Sequence, residues 1–391
     1  MLKGKMVIGQ SGGPTAVINQ SLVGAILAAR EQPAITGILG AKHGLAGIMK
    51  EDFIDLSSQP LAQLEEVATT PAAALGSVRL KPGKAECKKV FEVFKKNDVR
   101  FFFYIGGNDS AETAHIISEM AKEENYDFCT IHIPKTIDND LRVTDHCPGF
   151  PSAAKFVALA FMGDDRDNKA LSGVKINVVM GRDAGFLTAA SALARQGEGD
   201  GPHLIYLPET TFDVEQFKAD VASQVEKNGR CVVAVSEGIV DAAGHPIATS
   251  GEKDSHGNLQ LSGTGALGDA LSAMVKEALP AGARVRADTF GYLQRSFPTI
   301  VSDVDAKEAR DVGTFAVDHA VANAENGSVA IKRESSVPYA SSYFVTPLST
   351  VAREATSMKP EYISETGNDV TQAWLDYLAP LVGELPKMGR L

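Results

Sequence analysis

One local pattern constrains this chain more than any other: a short apolar strand, then a glycine-rich loop, then a helix. Lys5–Ile8 leads into Gly9-Gln10-Ser11-Gly12-Gly13-Pro14-Thr15 and a helical stretch from Ala16 to Arg30. Arg100–Ile105 leads into Gly106-Gly107-Asn108-Asp109-Ser110 and a helix from Ala111 to about Lys122. A third strand, Cys129–Ile133, runs into Pro134-Lys135-Thr136-Ile137-Asp138-Asn139-Asp140. Strands alternating with helices at this spacing predict a parallel, doubly wound α/β sheet with all three loops on one edge. Such an edge is where ligands bind in open α/β sheets, and glycines let backbone amides approach a phosphate at a helix N-terminus.

The 134–140 loop concentrates chemistry, with a lysine, a hydroxyl and two carboxylates within a few residues. If the segment is extended, Asp138 and Asp140 share one side. Asn and Asp are also common in turns for conformational reasons alone, so the loop's companions decide its meaning.

The 391 residues exceed one ordinary domain and suggest roughly two to three units. With 44% hydrophobic residues, 7% aromatics and 36 glycines, the composition is that of an α/β protein rich in tight turns. A formal charge of −11 argues against nucleic acid as the main partner and leaves local basic pockets for small anions. Cys87, Cys129, Cys147 and Cys231 show neither a Cys-x-x-Cys pair nor a zinc spacing, which predicts reduced thiols in a cytoplasmic protein. No apolar run approaches the roughly 20 residues that span a bilayer, and no targeting segment is expected.

Ile35–Leu39 is a further strand, Gly40–Gly47 a connecting loop, and Leu61–Glu66 too short and irregular to assign. Arg79 stands beside the Gly76 turn, and most lysines of Lys81–Lys89 are expected on a solvated helix face, as is the acidic stretch Glu119–Asp127 at a helix end. His115, His132 and His146 lack metal spacing and are expected to be structural. Gly149-Phe150-Pro151 breaks the pattern and places a lobe boundary. Beyond it Val174–Met180, Leu204–Leu207, Cys231–Val235 and Arg284–Thr289 read as strands, and the loops after them carry Arg182, Glu209, Glu237 and Arg295. Gly251–Gly265 reads as a surface hairpin or loop, Asp303–Asn323 as an amphipathic helix packed on a sheet, and Thr371–Leu381 as a closing helix.

Taken in order, Ser11-Gly12-Gly13, Gly76–Arg79, Gly106–Ser110, Pro134–Asp140, Met180-Gly181-Arg182, Ser236-Glu237-Gly238 and Gly291–Arg295 resemble the phosphofructokinase family from Ile8 to near the C-terminus. The resemblance implies two doubly wound, three-layer αβα lobes with the active site between them. One lobe would be 1–149 with about 294–345, on the phosphoryl-donor side; the other would be 150–293 with about 346–391, on the sugar-phosphate side. The implied reaction is phosphoryl transfer to the 1-hydroxyl of fructose 6-phosphate. Asp138 would be the base, with Lys135 and Thr136 beside it. Gly12, Gly13, Arg79, Gly107, Asp109, Ser110 and Lys135 would hold the donor. Thr136, Asp138 and Asp140 would surround the hydroxyl. Met180, Gly181, Arg182, Glu237, Tyr292 and Arg295 would bind the sugar phosphate. Arg286 matches a position that reaches the 6-phosphate from a neighbouring subunit, implying a homodimer or homotetramer, and Lys175 is a second candidate for that role. Glu209 lies at a position tied to effectors in some bacterial relatives, and little effector control is expected in this branch.

ATP-using members usually carry glycine where this chain has Asp109 and Lys135, so the resemblance is to the pyrophosphate-dependent branch. The physics agrees. A carboxylate ~4 Å from a nucleotide phosphate costs about 4 kcal/mol at an effective dielectric near 20, roughly a thousandfold in affinity. A lysine can instead neutralise compact pyrophosphate. The implied cofactor is magnesium, held at Asn108 and Asp109. Most relatives have an aspartate at Asn108, and an amide lacks its charge, so the contact at 108 is expected to be weakened or water-mediated, with Asp138 and pyrophosphate assisting. Two alternatives stay open at this point: an ATP-dependent 6-phosphofructokinase, and a non-catalytic regulatory subunit that binds sugar phosphate.

Overall fold

The computed structural model describes residues 2–80, 82–248, 251, 261, 264–352 and 354–390. The chain opens with β1 (Gly4–Gln10), α1 (Ile18–Arg30), β2 (Ile35–Ala41), α2 (Leu45–Ile48), β3 (Phe53–Asp55) and α3 (Leu61–Thr69). It continues through α4 (Lys84–Lys96), β4 (Val99–Gly106), α5 (Asn108–Glu123), β5 (Cys129–Pro134) and α6 (Phe150–Leu171). Then come β6 (Gly173–Val179), α7 (Phe186–Ala190), β7 (Leu204–Tyr206), α8 (Val214–Asn228), β8 (Arg230–Ser236), α9 (Ala266–Ala278) and β9 (Val285–Thr289). The last part holds α10 (Leu293–Ser296), α11 (Asp303–Asn323), β10 (Gly327–Ser336), β11 (Tyr339–Thr346), α12 (Leu348–Val351) and α13 (Gln372–Val382).

Two units share the chain: Met1–Ser152 with Arg295–Thr356, and Ala153–Gln294 with Ser357–Leu391. The first holds a sheet in the order β11-β10-β5-β4-β1-β2-β3. Its five inner strands run parallel, and β3 and β11 close the edges antiparallel. Strand alternation builds a layer on each face. Met6 and Ile8 of β1 and Phe101, Phe103 and Ile105 of β4 face α1, α3 and α11. Val7, Phe102 and Tyr104 face α2, α4 and α5. Both faces are covered, as parallel strands with near-continuous apolar runs require.

The second unit holds a four-stranded parallel sheet in the order β7-β8-β6-β9. Val174, Ile176, Cys231, Val233 and Val235 form a core with Phe217 of α8 and Leu271 of α9. Ile205, Val232 and Ala234 alternate with them and are equally buried, so this sheet too is covered on both sides.

Several elements differ from the sequence reading. Leu61–Glu66 belongs to a regular nine-residue helix, α3. Pro60 precedes its first turn, and Leu64 and Ala68, four residues apart, supply just enough apolar face to dock on the core. The Gly40–Gly47 loop contains the start of α2. The 134–140 segment is not extended: Asn139 adopts φ +57°, a left-handed conformation that asparagine tolerates, so Asp138 and Asp140 do not share a strand face. In α4, Cys87, Val90, Phe91 and Phe94 are buried and Lys84, Lys88 and Lys89 exposed. Lys81 and most of the 251–265 loop lie outside the described residues. All four cysteines are buried thiols, and none is disulfide-bonded. No described helix is long and apolar enough to cross a membrane.

Candidate active site

Because β1, β4 and β5 are parallel neighbours, their carboxyl ends deliver three loops to one sheet edge of the first unit. The β1 loop turns at Gly12, whose φ of +76° suits a residue without a side chain. Ser11 N–H donates to Ile105 O at 2.9 Å and Gly12 N–H to Val78 O at 3.1 Å. Ser77 Oγ donates to Gly12 O at 2.6 Å. This stitching brings the 75–79 segment, with exposed Arg79, beside the glycine loop.

The β4 loop enters α5 through Gly106 and Gly107. A side chain at Gly106 would collide with Ser110, so glycine is what lets the first turn of α5 fold back over the end of β4. Asn108 Oδ1 accepts from Asp109 N–H at 2.8 Å, and Asp109 is exposed in the first turn of α5. His132, buried on β5, faces Gly106 O from Nε2 at 2.8 Å and Ser328 Oγ from Nδ1 at 2.7 Å. Burial pushes its pKa down to about 4, so this neutral ring supports the loop from beneath, in keeping with a structural role.

The β5 loop completes the group. Lys135 is only 4% exposed, and its Nζ donates to Gly13 O at 2.7 Å, which places an ammonium inside the glycine loop. Burial pulls its pKa down to about 8. Asp138 and Asp140 oppose that fall, and Arg295 and Arg79 reinforce it. Four charged groups thus act on one ammonium. Arg295 Nη1 would stand 2.9 Å from a Cβ at Gly13, with Arg79 Nη2 at 3.9 Å. Arg295, expected on the sugar phosphate, lies against the Gly12–Gly13 loop. Asp138 N–H donates to Thr136 Oγ1 at 3.0 Å, and both aspartates are half-buried.

The second unit makes its own cluster at the carboxyl ends of β6 and β8. Gly181 has φ +133° and Ser236 Oγ donates to its carbonyl. Glu237 is 7% exposed, and its N–H donates to Val179 O at 2.9 Å. Gly238 packs so closely on the Arg182 backbone that a Cβ there would overlap it. Met180 N–H donates to Gln294 Oε1 at 3.3 Å, and Gln294 Nε2 donates to Gly291 O at 2.8 Å. Buried Gln294 thus joins the Met180–Arg182 loop to Tyr292's turn. Its position between Tyr292 and Arg295 in the motif was the available signal, and its amide was not singled out from sequence. Arg286 stands apart, exposed near the start of β9 with Lys175 opposite it in register. Lys175 Nζ is paired with Asp164 at 3.2 Å and with Asp288 at 2.5 Å. Glu209 Oε1 accepts from Gly185 N–H at 2.9 Å and Met358 N–H at 3.0 Å, a structural duty within the second unit.

The model matching residues 5–320 is that of phosphofructokinase. The chain belongs to the phosphofructokinase family. It is 54% identical over 396 residues to a protein of Rhodospirillum rubrum named pyrophosphate–fructose 6-phosphate 1-phosphotransferase, covering 100% of this chain and 97% of that one. A protein of the same name from Xanthomonas campestris pv. campestris is 40% identical, covering 99% and 93%. The crystal structure of pyrophosphate-dependent phosphofructokinase from Nitrosospira multiformis superposes with a TM-score of 0.88 at 36% identity, covering 99% of this chain and 95% of that one.

Among the described residues no group of three or more His, Cys, Asp or Glu side chains is arranged to hold a metal. Asn108 Oδ1 already accepts a hydrogen bond from the start of α5. The donor set therefore fits a magnesium ion that arrives on phosphate oxygens and takes one or two carboxylates, the usual habit of that ion, rather than a protein cage.

Proposed function

We propose that this protein transfers a phosphoryl group reversibly from pyrophosphate to the 1-hydroxyl of fructose 6-phosphate, giving fructose 1,6-bisphosphate and phosphate. The carrying observation is Lys135, an ammonium buried inside the glycine loop with Arg79 and Arg295 beside it. Three cations at one loop suit a small, highly charged diphosphate, and arginine's planar fork suits its oxygens. Lys135 occupies the loop instead of turning to solvent, which speaks for the pyrophosphate donor over ATP.

Asp138 orients the sugar hydroxyl and accepts its proton as the new O–P bond forms and the bridging P–O bond breaks. Thr136 holds the Asp138 backbone. Lys135, Arg79 and Arg295 take up the charge left on departing phosphate. Asp109 and Asp138 would hold magnesium together with the diphosphate, Asn108 contributing at most through water, and such an ion would supply neutralising charge at the phosphate oxygens. The first unit carries the donor. Met180, Gly181, Arg182, Glu237 and Tyr292 of the second bind the sugar phosphate, and Asp140 supports the hydroxyl. Arg286 serves the 6-phosphate of a neighbouring copy in a homodimer or homotetramer, and the protein works in the cytoplasm. Asp138→Asn tests the reading: kcat should fall at least ~100-fold, the usual scale for a lost general base. Unchanged turnover would sink it.

A further inference from the structure

The working loop is held from behind by a helix that carries none of the residues assigned above. Asn139 Oδ1 accepts from Cys147 N–H at 2.9 Å, and both residues are buried. Thr136 N–H donates to Pro148 O at 3.3 Å, and Thr136 pairs with Gly149 in a parallel bridge. The 147–149 backbone is therefore the template on which residues 136–139 lie. That template is fixed in turn by α11. Asp305, 1% exposed, accepts from Gly149 N–H at 2.8 Å through one oxygen and from Ser152 N–H at 3.0 Å through the other. Ser302 caps α11 by accepting from Asp305 N–H at 3.3 Å, and its own N–H donates to Ser152 Oγ at 3.1 Å. One turn along, Glu308 meets His146 Nε2 at 2.6 Å, while His146 Nδ1 meets Asp145 at 2.9 Å. With a carboxylate on each nitrogen the ring must donate from both, so it is an imidazolium.

We infer that α11 holds the 136–140 loop in its working geometry through the 147–149 backbone, making Asn139 and Asp305 positioning residues for the reaction proposed above, on which the inference rests. The arrangement has a physical rationale. Asn139 sits at φ +57°, a conformation with little steric preference of its own, so the Asp138 carboxylate is aimed only as well as its neighbours are pinned. Cys147 N–H pins Asn139 on one side of it, and Pro148 O pins Thr136 on the other. A carboxylate misplaced by about 1 Å loses on the order of 100-fold in rate.

The test compares wild type with Asn139→Gly, which keeps the backbone conformation and removes the acceptor, Asn139→Asp, which keeps both, and Asp305→Asn. Two readouts are taken: kcat and KM with pyrophosphate and fructose 6-phosphate, and amide exchange across residues 136–149. The expected result for Asn139→Gly is a kcat lowered by about 100-fold with both KM values nearly unchanged, and recovery of most of that loss in Asn139→Asp. Exchange should quicken at 136–149 in Asn139→Gly and Asp305→Asn while the β1 and β4 amides stay protected. Wild-type kcat in folded Asn139→Gly would overturn the inference, as would unchanged exchange across the loop. If Asp305→Asn does not fold, Asn139→Gly decides. A wild type inactive with pyrophosphate would defeat the proposed function, and the exchange comparison would still decide whether the clamp exists.

Discussion

Replacing Lys135 by methionine should make the first unit more stable and the protein nearly inactive. The ammonium is buried, and its pKa falls from the ordinary 10.5 to about 8. At ~1.4 kcal/mol per pH unit, keeping it charged at pH 7 costs about 3 kcal/mol. Methionine has similar reach and no charge, so that cost disappears. Gly13 O then loses its partner, which returns about 1 kcal/mol of destabilisation. A net gain of about 1–2 kcal/mol should raise the unfolding midpoint of the unit by a few degrees. The sign can be checked with pH. Between pH 8 and 10.5 the unfolded chain holds the proton that native Lys135 has released, so wild-type stability from this group rises across that window; in Lys135→Met the rise should vanish. Activity moves the other way. Losing one cation ~4 Å from a phosphate, at an effective dielectric near 20, removes about 4 kcal/mol, roughly a thousandfold in kcat/KM for pyrophosphate. Calorimetry and initial rates on one preparation settle both. A destabilised variant whose pyrophosphate kcat/KM stays within about tenfold of wild type would refute the reasoning.

Two further outcomes follow from the same geometry. Burial lowers the His146 pKa, but Asp145 and Glu308 overcome it and raise it to about 9. Its contribution of about 3 kcal/mol should therefore be complete below pH 6.5 and lost as pH rises through 9. Urea unfolding of wild type and His146→Gln across that range should converge at high pH, and parallel curves would contradict the ion pair. Asp109→Gly removes a carboxylate from the first turn of α5 and should raise kcat/KM with ATP at least ~10-fold, part of the like-charge cost near 4 kcal/mol; an unchanged ATP rate would show that Asp109 does not exclude the nucleotide.

The strand–loop–helix units were legible because each rests on short-range pattern: apolar β1, β4 and β5, glycines where φ is positive or loops touch, and a polar first turn after them. The parallel order then placed three loops on one edge without knowledge of any side-chain contact. What stayed hidden depends on distant partners. Edge strands β3 and β11 carry no strong alternation and are strands because a neighbour lends hydrogen bonds. The return of β10 to β5 joins residues 196 apart in sequence, as in the Thr130 N–H bond to Asn326 Oδ1. Lys135 was legible as a candidate, whereas its burial against Gly13 was not, since no local pattern says where a lysine's end will lie. Asn139 shows the same limit: its type allows a left-handed turn, and only the tertiary bond to Cys147 explains why one is made there.

The most direct measurement is the initial rate of fructose 1,6-bisphosphate formation by the purified protein with fructose 6-phosphate and magnesium, comparing pyrophosphate with ATP as donor. Turnover with pyrophosphate and little or none with ATP is the expected result, and it would tie the buried Lys135 and the exposed Asp109 to donor choice. Turnover with ATP alone would contradict the donor assignment, and silence with both would contradict the proposed reaction itself.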